Sequence, residues 1–191
     1  MHGNRPVTIY ISAASDLMAE REVLARMIAG LPVTLAWRVM QTPVSEADSL
    51  DLEALQSADL YFLVMGSDIR APVGLEWRTA RRSGRPVAAF LKRGAARTPA
   101  GLVFIKDVGV DWQPFKDAED LRRRVQRVVV EHLVRYAVLY GLAPDEVAQL
   151  EALPSDSASD ASSQGSETGR SAVILSRERY EPSDGVIVDN P

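Results

Sequence analysis

Six residues in this chain have the types and positions to do chemistry together: Glu76, with Ser12, Ser15, Asp16, Ser67 and Asp68. Ser12, Ser15 and Asp16 follow the first β-prone run. Ser67 and Asp68 follow the most apolar run, and Glu76 falls in the first turn of the helix expected next. A lone carboxylate there suits two tasks. It can accept hydrogen bonds from ribose hydroxyls, or it can stabilise or trap an oxocarbenium-like centre. The plainer account is a first-turn Glu that complements the helix dipole. Ser12, Ser15 and Asp16 can offer hydroxyls and a carboxylate to a ligand, although strand-end and cap chemistry is the favoured explanation. Ser67 and Asp68 divide evenly between a plain turn and ligand contact.

Other chemistries find less support. Cysteine is absent, so disulfides and thiol catalysis are out, and a cytoplasmic setting is favoured. With His2 and His132 as the two imidazoles, a zinc site is disfavoured. His132 lies on the apolar face of a long helix and reads as a hydrogen-bonded core histidine. Arg78, Arg81, Arg82 and Arg85 cluster on one helix and its exit, where a solvated face is the default and anion or partner binding comes second. Glu20 and Arg21 flank an apolar stripe, either pairing with charges at the sheet edge or snorkelling. No phosphate-binding Gly-rich loop, dinucleotide fingerprint or Ser nucleophile elbow is present.

The elements that must position these residues follow from hydrophobic periodicity. Val7 to Ser12 alternates Val7, Ile9 and Ile11 with Thr8, Tyr10 and Ser12, a strand with two distinct faces. A helix follows, with Ser15 as expected N-cap and Leu17, Leu24, Met27, Ile28 and Leu31 on one face, ended by Gly30 and Pro32. Val33 to Met40 has one polar face, as an edge strand does. A weaker helix covers Glu46 to Ser57. The unbroken apolar run from Leu60 to Met65, stopped by Gly66, reads as a strand buried on both faces. Val73 to Ser83 is a third helix, Pro86 to Leu91 a fourth strand and Gly101 to Asp107 a fifth. Val108 to Phe115 is irregular or a short extra strand. Asp117 opens the strongest helix, running to Tyr140, and Pro144 to Leu153 adds a last one.

Strands alternating with helices imply a parallel sheet. An edge-like second strand and a buried third imply the order 2-1-3-4-5, the flavodoxin-like arrangement, five-stranded and α/β. The switch point then lies between strands one and three, whose ends carry Ser12 to Asp16 and Gly66 to Asp68. Residues 1–153 form this domain. Residues 154–170 are a Ser/Asp-rich linker, and 171–191 a short β-prone tail, so the C-terminal part is expected to be disordered. From Pro154 onward the chain carries seven acidic and three basic residues, while the first 153 residues are neutral. A neutral body disfavours duplex nucleic acid as partner. The longest apolar run is far short of a membrane span, so no membrane role is expected.

The strand Ile9-Tyr-Ile-Ser-Ala-Ala-Ser15 and the helix motif Asp16-Leu-Met-Ala-Glu-Arg21 resemble a family of uncharacterised domains in bacterial signalling and conflict proteins. Members begin with a Phe-Ile-Ser-Ser-Thr-like strand and an Asp-Leu-x-x-Glu-Arg helix. Later matches are Ser57-Ala-Asp59, Gly66, Glu76 with Ala80, and Gly84-Arg-Pro86, so the resemblance covers residues 7 to 135. That family is similar in turn to Toll/interleukin-receptor (TIR) domains and nucleoside deoxyribosyltransferases. Active members of both use a carboxylate after the third or fourth strand to act on an N-glycosidic bond. The resemblance implies Glu76 as that carboxylate, Ser12 and Asp16 lining the pocket, and Ser67 or Asp68 closing it. The sequence departs from the motif at Ala13 and Ala14, which removes two hydroxyls, and in the loop Ser67-Asp-Ile-Arg-Ala-Pro72.

Two functions are therefore expected. One is a signalling or adaptor domain of a prokaryotic conflict or immune-type system, with a nucleotide-type pocket and a tail, residues 171–191, that recruits a protein partner. The lost hydroxyls and the linker-plus-tail layout favour it. The other is an enzyme that cleaves the N-glycosidic bond of NAD or a nucleoside with Glu76, no cofactor being required and NAD or a nucleotide serving as ligand or substrate. A third reading is a protein cleaved in its linker by a partnered protease. Self-association is compatible with each.

Overall fold

The computed structural model describes residues 6–43 and 50–153. All belong to the first of two units, Met1–Asp156. The linker, the tail and the expected helix start at Glu46 lie outside the described residues.

Five parallel strands form one sheet in the order β2-β1-β3-β4-β5. They are β1 Val7–Ala13, β2 Trp37–Gln41, β3 Leu60–Met65, β4 Val87–Lys92 and β5 Trp112–Phe115. The helices are α1 Met18–Ala29, α2 Leu52–Ser57, α3 Ala71–Arg82, α4 Pro99–Asp107, α5 Ala118–Arg135, α6 Ala137–Tyr140 and α7 Pro144–Glu151. The expected flavodoxin-like α/β order is thus the observed one.

β1 explains why the sheet has two different faces. Its Val7, Ile9 and Ile11 join Phe62, Val64 and the buried residues of α1 and α5 in the larger core. Tyr10 points the other way, with Tyr61, Leu63 and the α3 residues Val73, Trp77 and Ala80. The period of two makes this assignment strict: a one-residue slip of β1 would exchange the faces. Each large apolar side chain so buried is worth about 1.5–3 kcal/mol, which makes the slipped register prohibitive.

Several expected boundaries moved. The strand expected at Val33 begins only at Trp37. Thr34 is held instead by α7, its N–H and hydroxyl donating to Glu146 Oε1 at 2.6 and 2.7 Å. The expected fifth strand, Gly101 to Asp107, is helix α4. Thr98 caps it, accepting from the Gly101 N–H at 3.1 Å, and Pro99 fills the first position. The true fifth strand lies in the segment read as irregular or a short extra strand. A short apolar run does not separate helix from strand, and the Thr-Pro cap decided it. The long terminal helix breaks at Tyr136 and resumes as α6.

Candidate active site at the carboxyl edge of β1

Glu76 is completely enclosed. Its Oε1 accepts the Tyr10 hydroxyl at 2.7 Å. Its Oε2 accepts the Thr42 hydroxyl at 2.7 Å and also the Ser12 hydroxyl. Three hydroxyl donors therefore converge on one carboxylate, and among the described residues it has no ion-pair partner. Both Tyr10 and Ser12 come from β1, two residues apart, so the pleat aims them at the same side. Thr42 stands just past β2, where its N–H still pairs with the Ile11 carbonyl at 3.1 Å. Its hydroxyl oxygen also accepts the Ala13 N–H at 3.1 Å.

α3 begins at Ala71, earlier than expected, so Glu76 occupies the second turn and not the first. The helix-dipole account of this residue therefore loses its basis, because that effect fades beyond the first turn. What holds Glu76 is hydrogen bonding from the sheet.

The charges around it respond to burial. Enclosure pushes the Tyr10 phenol far above its ordinary range, and the Glu76 charge adds to the effect. Arg21 is 4% exposed, and burial lowers its pKa against the opposing pull of Glu76 and Tyr10. Its guanidinium donates to the Thr42 carbonyl and, through Nε, to Gln41 Oε1 at 3.2 Å. Arg21 therefore does not snorkel; it clamps the end of β2. Its neighbour Glu20 pairs with Lys92 at the end of β4 at 2.7 Å.

The other expected site residues form a separate group. Asp16 Oδ2 accepts the Ser67 N–H at 2.8 Å. A Cβ on Gly66 would stand 2.5 Å from that same oxygen, so glycine is what permits the approach. Asp68 Oδ1 accepts the Ile69 N–H at 2.8 Å and the Thr98 hydroxyl, while the Ser67 carbonyl accepts the Thr98 N–H at 3.0 Å. These contacts join the ends of β1 and β3 to the start of α4. Ser15 stands apart from both groups. It opens a 3-10 turn, Ser15–Leu17, and is exposed; Ala14 takes the cap position expected for Ser15.

Tyr10 and Thr42 were not singled out as site residues from the sequence. Tyr10 had a readable signal, its shared face with Ser12. Thr42 had none, because only the pairing of β2 beside β1 brings it to Glu76.

His132 is half-buried and hydrogen-bonded to the Tyr140 hydroxyl at 2.8 Å, as a structural histidine would be. It borders a cavity of about 150 Å³ at the opposite end of the sheet, lined also by Leu60, Pro86 and Val128. Among the described residues no cluster of His, Asp or Glu could hold a metal ion, and no helix is long and apolar enough to cross a membrane.

No family model matches the chain, and no curated protein matches it. Among solved structures it is similar to the CMP N-glycosidase BcmB of Clostridium botulinum. The identity is 12% and the TM-score 0.44, over 62% of this chain and 97% of that one. At that level the likeness says nothing of function.

Proposed function

We propose that this domain cleaves the N-glycosidic bond of a nucleoside or nucleotide, with Glu76 as the carboxylate that meets the anomeric carbon. One observation carries the reading: a fully buried carboxylate, held by three hydroxyls and, among the described residues, in no ion pair, stands at the switch point of the sheet. Burying a carboxylate without a direct ion pair costs several kcal/mol, roughly, where a neutral group would pack as well, and the buried Arg21 guanidinium offsets part of that cost from a distance. In open α/β sheets of this order, ligands bind at the switch point. The sequence argument against catalysis rested on Ala13 and Ala14, on the departing loop Ser67 to Pro72 and on the linker-plus-tail layout. Tyr10, Ser12 and Thr42 supply hydroxyls to the carboxylate without the two lost at Ala13 and Ala14.

The reaction follows from these parts. As the bond between sugar and base breaks, the electron pair leaves with the base and positive charge develops at the anomeric carbon. Glu76 stabilises that charge or captures the carbon as an ester, and water then completes hydrolysis to the free sugar. The three donors fix the carboxylate in place. A pyridinium nucleotide such as NAD fits best, because its base leaves neutral and needs no proton. Asp16, Glu20 and Asp68, the other carboxylates at this edge, are each already engaged.

A second reading has an observation of its own. Glu76 is wholly enclosed and both its oxygens are occupied, which is also how a structural polar lock is built. Under it Glu76 pins β1, β2 and α3 together in a non-catalytic adaptor domain of a prokaryotic signalling or conflict system.

Purified protein and the Glu76→Gln variant incubated with NAD and with nucleosides separate the two. Free base should appear with the native chain and fall by at least about a hundredfold in the variant. A melting curve shows that the variant is folded, since the three hydroxyls can also accept from the amide. No release at high protein concentration, or equal release from both, would favour the adaptor.

A further inference from the structure

Arg21 carries a buried positive charge that no anion beside it answers. It is 4% exposed, and among the described residues no carboxylate lies within ion-pair reach of its guanidinium. Glu20, its neighbour in the chain, is turned to Lys92 at 2.7 Å. The contacts Arg21 does make are all to neutral groups. Nε donates to Gln41 Oε1 at 3.2 Å, one terminal nitrogen donates to the Thr42 carbonyl, and the other lies 4.0 Å from the Met18 thioether. A guanidinium has five N–H donors and stays protonated at any working pH. Two of the five are therefore left without an acceptor among the described residues.

Burying a charge outside an ion pair is costly, and a neutral side chain could clamp the end of β2 without that cost. The helix adds to it. Arg21 is the fourth residue of α1, near the positive end of the helix dipole, where a cation is disfavoured and an anion favoured. A buried fork of donors at a helix start, short of its anion, has the chemistry of a phosphate contact.

Thr42 fixes where that contact stands. Its carbonyl accepts from Arg21, and its hydroxyl donates to Glu76 at 2.7 Å. The two ends of one residue thus hold the guanidinium and the carboxylate, near enough for the Glu76 charge to act on Arg21. A nucleotide has a matching layout, with its anomeric carbon and its phosphate at opposite ends of one ribose.

We propose that Arg21 is the phosphate contact of the Glu76 site, so that the substrate is a nucleotide and not a nucleoside. Its two open N–H groups hold the phosphate next to the reacting ribose, while Glu76 meets the anomeric carbon of the same sugar. The inference rests on the glycosidic reading above for the sugar that lies between them.

Ribose 5-phosphate and ribose, titrated into the full chain by calorimetry, test it without any bond being cut. The native chain should bind the phosphate ester and give no heat with ribose. Arg21→Gln should weaken binding about thirtyfold or more, and Arg21→Lys, which keeps the charge but not the fork, about tenfold. Lys92→Gln, at the same edge, should stay within about twofold of the native chain. If the Arg21 variants do not fold, the Arg21 Nε–H resonance of the native chain decides: it should shift with ribose 5-phosphate and not with ribose. Equal binding of the two sugars, binding of neither, or a loss that follows Lys92 in place of Arg21 overturns the proposal. Such a failure leaves the glycosidic reading standing, since release of free base is measured separately. Phosphate binding through Arg21 in a chain that releases no base keeps the contact and removes the cleavage.

Discussion

Thr42 and Glu76, 34 residues apart in sequence, share a buried hydrogen bond of 2.7 Å, and the same Thr42 oxygen accepts the Ala13 N–H at 3.1 Å. One hydroxyl therefore links the ends of two adjacent strands to the helix that carries the carboxylate. Thr42→Val keeps the shape and removes both bonds, leaving an acceptor and a donor each short of a partner. A loss of about 1–3 kcal/mol in unfolding free energy is expected from urea titration. Thr42→Ser keeps the hydroxyl and should lose less. Equal losses from the two variants would mean that packing, not hydrogen bonding, is what Thr42 contributes.

Gly66 and Asp16 form the second junction at this edge. Gly66→Ala would place a methyl group 2.5 Å from Asp16 Oδ2 and force that carboxylate off the Ser67 N–H. Overpacking of this kind costs about 1–3 kcal/mol. Asp16→Ala should relieve part of the clash, so the double variant loses less than the sum of the single ones. Strict additivity in denaturant midpoints would show that the two residues are not coupled.

Glu146 gives a pH signature. The Ala143 N–H first, then the Thr34 hydroxyl and N–H, hold its carboxyl below the usual range. A depressed folded-state pKa adds stability that is present above the unfolded value of about 4.3 and is lost as pH falls through the folded value. Glu146→Gln should therefore melt below the native chain at pH 7, with the gap closing as the pH drops below about 4. A gap that stays constant down to pH 2 would count against this origin.

Much of the fold was readable from local pattern. The two-faced alternation of β1, the unbroken apolar run of β3 and the stripe of α5 each report burial directly, because side-chain period follows backbone geometry. Alternating strands and helices then leave few topologies, and the observed order is among them. α4 and β5 were not readable in this way. Leu102, Val103, Phe104 and Ile105 suit a strand by composition, yet the cap at Thr98 makes them a helix that leaves Leu102 and Val103 exposed.

For the candidate site, the sequence by itself determined that Glu76 and Ser12 come to one edge. Glu76 follows the loop after the most buried strand, and Ser12 ends the first one, so both must reach the same edge of a parallel sheet. Tertiary structure alone decided what surrounds them. Strand pairing brings Thr42 beside Ala13, the face shared by β1 and β3 stacks Tyr61 on Tyr10, and the early start of α3 turns Glu76 inward to meet them. Local periodicity tells which side of an element is buried. Only the pairing of distant elements tells which polar groups are buried together, and that companionship sets the chemistry of Glu76.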